Sequence, residues 1–205
     1  MKPRALPLPP VEALLAQAEG RLRRQAGYAR ALSGRPGRTR VLEAGLAEAR
    51  AALAAALRPA ALWREVEDAA VPDLAAVPRL AEATAAGGRP LVWLCTLGHD
   101  AGAPWGDEAR LQAHLAGDMA VQALFVAARA VHAGLSVAHP GRRLIRIALR
   151  EAADERWDVA AVARLLPLFG PAPLGVRAEP EGGFLPAHTL LGVAVALPPG
   201  SPQDA

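Results

Sequence analysis

The stretch from residue 91 to residue 130 constrains this chain most. Leu91-Val-Trp-Leu-Cys-Thr-Leu97 is an apolar run interrupted only by Thr96, and Gly98 ends it. A run that short, rich in β-formers and closed by glycine, reads as an interior strand. Gly98 permits a positive φ at the strand exit. The loop Ala101-Gly-Ala-Pro-Trp-Gly106 then turns the chain, and Asp107 and Glu108 suit a helix's first turn, where negative charge meets the positive end of the dipole. Leu111, Leu115, Met119, Val121, Leu124, Phe125, Ala128 and Val131 follow with a helical period and a wide apolar stripe. The pattern is buried strand, tight turn, polar loop, buried helix, and any function is built around the mouth of that unit.

The flanking segments arrange themselves around it. Prolines 3, 7, 9 and 10 make residues 1–10 an extended arm, because proline lacks the donor that helices and ladders need. A helix is predicted from Val11 to about Leu32, with Leu14, Leu15, Ala18 and Leu22 on one face and Arg21, Arg23 and Arg24 elsewhere. After a Ser33–Gly37 turn, a second helix runs from Arg38 to Leu57 and stops before Pro59. Residues 60–66 read as a strand, Pro78–Ala85 as a helix, Gly134–Pro140 as a turn, Leu144–Leu149 as a strand and Val159–Phe169 as a helix behind Asp158. A short strand over 175–178, a turn over 179–183 and a last strand within 184–197 close the domain; residues 198–205 are expected to be a disordered tail. The sum is one α+β domain over residues 11–197, with helices packed on a mixed or antiparallel sheet and an N-terminal helical arm.

Composition narrows the function classes. With 205 residues, 52% hydrophobic, the chain can bury a real core. Net charge is only +3, basic residues are scattered, and aromatics are 4%, so no stacking platform for nucleic acid is visible. Cys95 is the single cysteine; it sits inside the apolar run and is expected to be a buried, inert thiol. No signal segment or apolar stretch of spanning length is read from the sequence, so no membrane is expected and the cytoplasm is the expected location.

No motif declares a reaction. Walker-type and Gly-x-Gly-x-x-Gly loops, His-Glu-x-x-His and the Gly-x-Ser-x-Gly elbow are all missing from the sequence, and no metal site is expected. His99-Asp100, after the central strand, is either a carboxylate-held general base or metal arm, or a solvated loop pair. His114 and His132 read as helix-surface or helix-end residues and His139 as a turn residue. Asp118 falls beside the apolar stripe of the central helix, so it either caps neighbouring donors or lines a pocket. Arg142, Arg143, Arg146 and Arg150 cluster; Arg146 inside its strand either grips a ligand carboxylate or lies on a solvated face.

Several stretches, in order, resemble the activation (reactivation) domain of vitamin B12-dependent methionine synthase and its short free-standing bacterial relatives. Leu57-Arg-Pro-Ala-Ala-Leu-Trp63 resembles the run into that family's first strand. Leu94-Cys-Thr-Leu-Gly98 resembles its Thr-x-Gly strand end, and Leu115-Ala-Gly-Asp118 the segment that follows. Gly175-Val-Arg177 and then Phe184-Leu-Pro186-Ala-His-Thr189-Leu-Leu-Gly192-Val193 resemble its Pro-x-x-Ser-x-x-Gly strand, with Thr189 in the serine place. The likeness spans roughly residues 38–197. One loop departs: where the family has Arg and then Pro-Gly-Tyr before a Trp, Arg146 and Trp157 are present but Ile147-Ala-Leu-Arg-Glu151 replaces Pro-Gly-Tyr.

The resemblance implies an accessory protein for reductive remethylation of a cobalamin-dependent methionine synthase or related corrinoid methyltransferase. The methyl donor would be S-adenosylmethionine, the cobalamin would be carried by the partner, and the protein would supply orientation. It puts Arg146, Pro186, His188, Thr189 and Gly192 near the ligand groove, with Asp118 in support and no catalytic residue. Without Pro-Gly-Tyr, the alternative is a degenerate module that docks a corrinoid protein and binds no S-adenosylmethionine.

Overall fold

The computed structural model describes residues 2–66, 78–98, 109–147, 164–180 and 183–201. The strands are β1 (Arg4–Leu6), β2 (Ala60–Glu65), β3 (Arg89–Thr96), β4 (Arg143–Ile147), β5 (Arg177–Ala178), β6 (Phe184–Leu185) and β7 (Thr189–Leu197). The α-helices are α1 (Val11–Arg24), α2 (Ala26–Leu32), α3 (Pro36–Ala56), α4 (Pro78–Ala85) and α5 (Arg110–Ala138). Short 3-10 turns occupy Leu166–Phe169 and Pro173–Gly175. The fold is α+β, and the five-stranded sheet, ordered β1-β2-β3-β7-β4, is antiparallel throughout.

The apolar run forms the middle strand. β3 is paired on both edges, and every residue from Pro90 to Thr96 is buried, so the sheet is covered on both faces. Leu91, Val92 and Leu94 are fully buried, each worth about 1.5–3 kcal/mol relative to exposure. Because side chains alternate along a strand, the register divides the sheet's residues between two cores. Ala61, Trp63, Leu91, Trp93, Cys95, Ala194 and Ala196 join the core built with α1, α3 and α5. Val66, Val92, Leu94, Ile147, Leu191, Val193 and Val195 join the other, with Leu80 of α4, Leu166 and Phe169. Helix α5 lies on the first face, touching β1, β3, β4 and β7, while α1 and α3 make their main contacts with α5.

Four expectations need revision. The extended arm joins the sheet: Arg4, Ala5 and Leu6 pair with Trp63, Leu62 and Ala61, making β1 an edge strand. The single helix over 11–32 breaks at Gln25, whose extended ψ of 137° redirects α2, a helix with no buried residue, towards α3 and brings Tyr28 to α5. The turn expected at Gly134–Pro140 begins only after Ala138, because Gly134 sits inside α5, where a Cβ would come within 2.8 Å of Leu6 Cδ2. The glycine clears space for the arm and does not end the helix. Finally, α5 is long and apolar enough to cross a membrane by length and composition, contrary to the reading of no spanning stretch; an apolar face from Leu115 to Leu135 is buried against the sheet, α1 and α3.

The C-terminal strands come out close to expectation. β5 and β6 form the antiparallel hairpin around residues 179–183, and the strand within 184–197 divides at a cis Leu185–Pro186 bond into β6 and β7. The tail differs from expectation where it is described: residues 198–201, expected to be disordered, form a turn in which the Ser201 hydroxyl donates to the Pro198 carbonyl at 2.9 Å, and residues 202–205 lie outside the described residues. His99, Asp100, the 101–106 loop, Asp107, Glu108, Arg150, Trp157, Asp158 and residues 159–163 of the helix expected over 159–169 lie outside the described residues; the end of that stretch, Leu166–Phe169, is a 3-10 turn.

Candidate functional site

The residues expected around one groove fall into three places. On the helix-covered face, β3 and β7 put Trp93 opposite Gly192. A Cβ on Gly192 would lie 2.4 Å from Trp93 Cζ2 and 2.6 Å from Cε2, so the indole occupies the space that the glycine leaves. The other side of the ring meets His132 of α5 edge-on, with centroids 5.3 Å apart. Burial, and then the positive charge of Arg146, push the His132 imidazole down to about 4, because both disfavour a second cation. His132 is therefore a neutral, half-buried packing partner of Trp93 and not a surface residue. Arg146 lies on edge strand β4, exposed, opposite Ala194.

At the other end of β7, on the opposite face, the chain ties a polar knot. Thr189 pairs with Thr96, both buried, and their hydroxyl oxygens lie 2.8 Å apart. Thr189 Oγ1 is also 2.8 Å from the Pro186 carbonyl, and the Gly98 N–H donates to Thr96 Oγ1 at 3.0 Å. Each hydroxyl has one proton, so one consistent chain runs from Gly98 N–H to Thr96, from Thr96 to Thr189, and from Thr189 to the Pro186 carbonyl. Backbone bonds extend the knot: Leu97 N–H donates to the His188 carbonyl at 2.9 Å, and Arg58 N–H to the Leu97 carbonyl at 2.8 Å. Gly98 has φ +70°, and a Cβ there would stand 2.6 Å from the Arg58 carbonyl oxygen. The Thr-x-Gly and Pro-x-x-Thr-x-x-Gly stretches thus meet each other, satisfying buried polar groups where β3 ends and β7 begins.

Asp118 is elsewhere again. It accepts a 2.7 Å hydrogen bond from the Tyr28 hydroxyl and stands 3.5 Å from His114 Nε2, joining α2 to α5. Burial and then the Asp118 charge raise the Tyr28 phenol well above its usual range. Fourteen residues separate Asp118 from His132 on one helix, about 21 Å at 1.5 Å per residue.

These positions do not enclose one groove. Arg146 is opposite Ala194, which is five residues along β7 from Thr189. Five residues span about 17 Å, and the odd count puts the two side chains on opposite faces. The space beside Gly192 is filled by Trp93, and the Thr189 hydroxyl is engaged with Thr96 and Pro186. The described residues do not fit S-adenosylmethionine as a single set; residues 148–163, which follow Arg146, lie outside them. Pro186, His188 and Thr189 do come together, as do Gly192 and the neighbourhood of Arg146.

Cys95 is buried on the helix side, and burial pushes its thiol up to about 12. Its burial is as expected, and a thiol kept protonated there is a poor nucleophile. Among the described residues no three His, Cys, Asp or Glu side chains gather as metal ligands. His139 caps α5 with its ring buried against Trp63, centroids 5.0 Å apart, and Nδ1 lies 2.9 Å from the Leu135 carbonyl. Sequence reasoning missed the Trp93–His132 contact because a continuous apolar run hides which residues share a face. It missed Tyr28, whose one signal was being the chain's single tyrosine. No protein-family model and no curated protein matches the chain.

Proposed function

We propose that this chain is an accessory module of corrinoid-dependent methyl transfer, one that docks a cobalamin-carrying methionine synthase or related corrinoid protein without binding S-adenosylmethionine. The order and spacing of the stretches resembling the methionine synthase activation domain support the class. One observation carries the choice of version: Arg146 and Thr189 occupy opposite faces of the sheet, about 17 Å apart along β7. A single ligand held by both would have to pass around the sheet edge, and the Pro-Gly-Tyr loop that lets backbone approach a ligand closely is absent from the sequence. On this reading the module works in the cytoplasm, with neither nucleic acid nor membrane as partner.

Two titrations test this with the full chain. S-adenosylmethionine added in a calorimeter up to high micromolar concentration is expected to give no binding heat. A cobalamin-loaded methionine synthase is expected to bind saturably in a sedimentation or interferometry assay. Saturable heat with S-adenosylmethionine restores the remethylation version, and failure of both titrations removes the corrinoid reading altogether.

A further inference from the structure

Helix α1 carries three arginines in its last turn, and the structure treats them differently. Arg23 is matched twice: its guanidinium reaches Glu19 at 2.7 Å and Glu43 of α3 at 2.6 Å, and Arg50 adds a 3.3 Å contact to Glu19. These charges neutralise one another in the cleft between α1 and α3. Arg21 and Arg24 turn towards α5, where they line a separate cavity of about 500 Å³ together with Arg129, Gln17 and an apolar floor that includes Val126 and Ala130. Among the described residues no carboxylate lines this cavity, and none of its three guanidinium groups makes an ion pair or hydrogen bond with them. Arg21 Nη1 is buried with its donors unsatisfied. A buried guanidinium donor without an acceptor is costly, and three like charges converging on one space repel. A ligand anion removes both penalties at once.

We propose that the cavity between α1 and α5 is a binding site for a small organic phosphate, with Arg21, Arg24 and Arg129 holding the anion and Val126 and Ala130 carrying the organic part. Three planar forks match a multiply charged phosphoryl group better than a single carboxylate, because guanidinium binds phosphate oxygens bidentately. The volume lies within the range of small-molecule pockets and exceeds what a lone inorganic ion needs. Gln17 adds a neutral amide that can donate to a phosphate or accept from a hydroxyl. The site lies on the helices, away from the sheet end where Thr96 and Thr189 meet, and it stands whether or not the chain serves a corrinoid protein.

The test is binding to the full-length protein at physiological salt, read by calorimetry and thermal shift, with inorganic phosphate, pyrophosphate and ATP as probes. Saturable binding is expected, tighter for ATP and pyrophosphate than for phosphate. Arg21→Gln and Arg129→Gln are each expected to weaken it by about tenfold or more, as loss of a charge-assisted fork should, while Arg23→Gln, on the neighbouring cleft, leaves it unchanged. Circular dichroism confirms that each variant folds; if Arg21→Gln does not, Arg129→Gln and Arg24→Gln, both at exposed positions, carry the test. No saturable binding of any soluble probe at millimolar concentration overturns the proposal, as does binding that is equal in wild type and the Arg21→Gln/Arg129→Gln double variant. Sedimentation with phosphatidylglycerol vesicles separates the sources: capture by vesicles without binding of soluble phosphates overturns the small-ligand site in favour of a lipid headgroup.

Discussion

Replacing Gly192 by alanine tests how the two sheet cores are divided. The new methyl carbon would sit 2.4 Å from Trp93 Cζ2 and 2.6 Å from Cε2, well inside the 3.5–4.0 Å at which carbons rest. More than about 1 Å of movement is needed, and neither partner gives easily. The β7 backbone is held by pairing with both β3 and β4, and the indole is buried with its other edge against His132. Overpacking of this kind costs about 1–3 kcal/mol, and the rigidity on both sides puts Gly192→Ala near the upper end, about 2–3 kcal/mol. For a chain of this size that lowers Tm by roughly 4–12 °C. The assay is thermal and urea unfolding followed by far-UV circular dichroism, with the urea m-value unchanged. Trp93→Phe shortens the ring on the side that Gly192 faces, so the double variant should lose less than the sum of the singles, with a coupling of about 1 kcal/mol or more. A Gly192→Ala protein melting within a degree of wild type, or strict additivity with Trp93→Phe, would refute the packing account of this glycine and reopen the space beside it for a ligand.

Three further perturbations follow from named contacts. Thr189→Val keeps the shape but strips the hydroxyl from the buried Thr96–Thr189–Pro186 chain; a loss of about 1–3 kcal/mol in urea unfolding is expected, and Thr189→Ser should recover most of it. His132 is held at about 4 when folded against about 6.5 unfolded, so the unfolded state binds more protons between those values and stability must fall as pH drops from 6.5 towards 4, then level off. Allowing for the ring's partial exposure, the loss is at most about 2 kcal/mol, and His132→Phe should flatten the profile across that window; a slope unaltered by the substitution would assign it to other groups. Cys95, buried and with its thiol pushed up to about 12, is expected to ignore Ellman's reagent at pH 8 until denaturant is added, and stoichiometric labelling of the native protein would contradict its placement.

Much of the architecture was written locally. The apolar run at 91–97 announced an interior strand because all of it but Thr96 is apolar, and β3 occupies that place. The leucine spacing of α1 and α3, the proline punctuation before each, and the pairing of β5 with β6 depended only on near neighbours along the chain. The burial of Cys95 followed from the same run. What local pattern could not supply was partnership across distance. The proline-rich arm gave no sign that Arg4–Leu6 would find β2, since pairing depends on an open sheet edge 57 residues away in sequence. Gly134 read as a stop because glycine usually weakens helices, yet it persists in α5 where Leu6 needs the room.

The candidate site divides along the same line. Its residue types and their order along the chain were legible, but the hydrogen bonds that join Thr96 to Gly98 and Thr189 to Pro186 appear only in the structure. Which face each residue takes was decided only when β7 was laid between β3 and β4, because a strand's parity is set by register with its neighbours and a shift of one residue exchanges the faces. That register sends Arg146 to the helix side and Thr189 to the other, and delivers Trp93 into the space beside Gly192. Arg21, Arg24 and Arg129 were in the sequence as scattered charge; the packing of α1 on α5 made them the lining of one cavity.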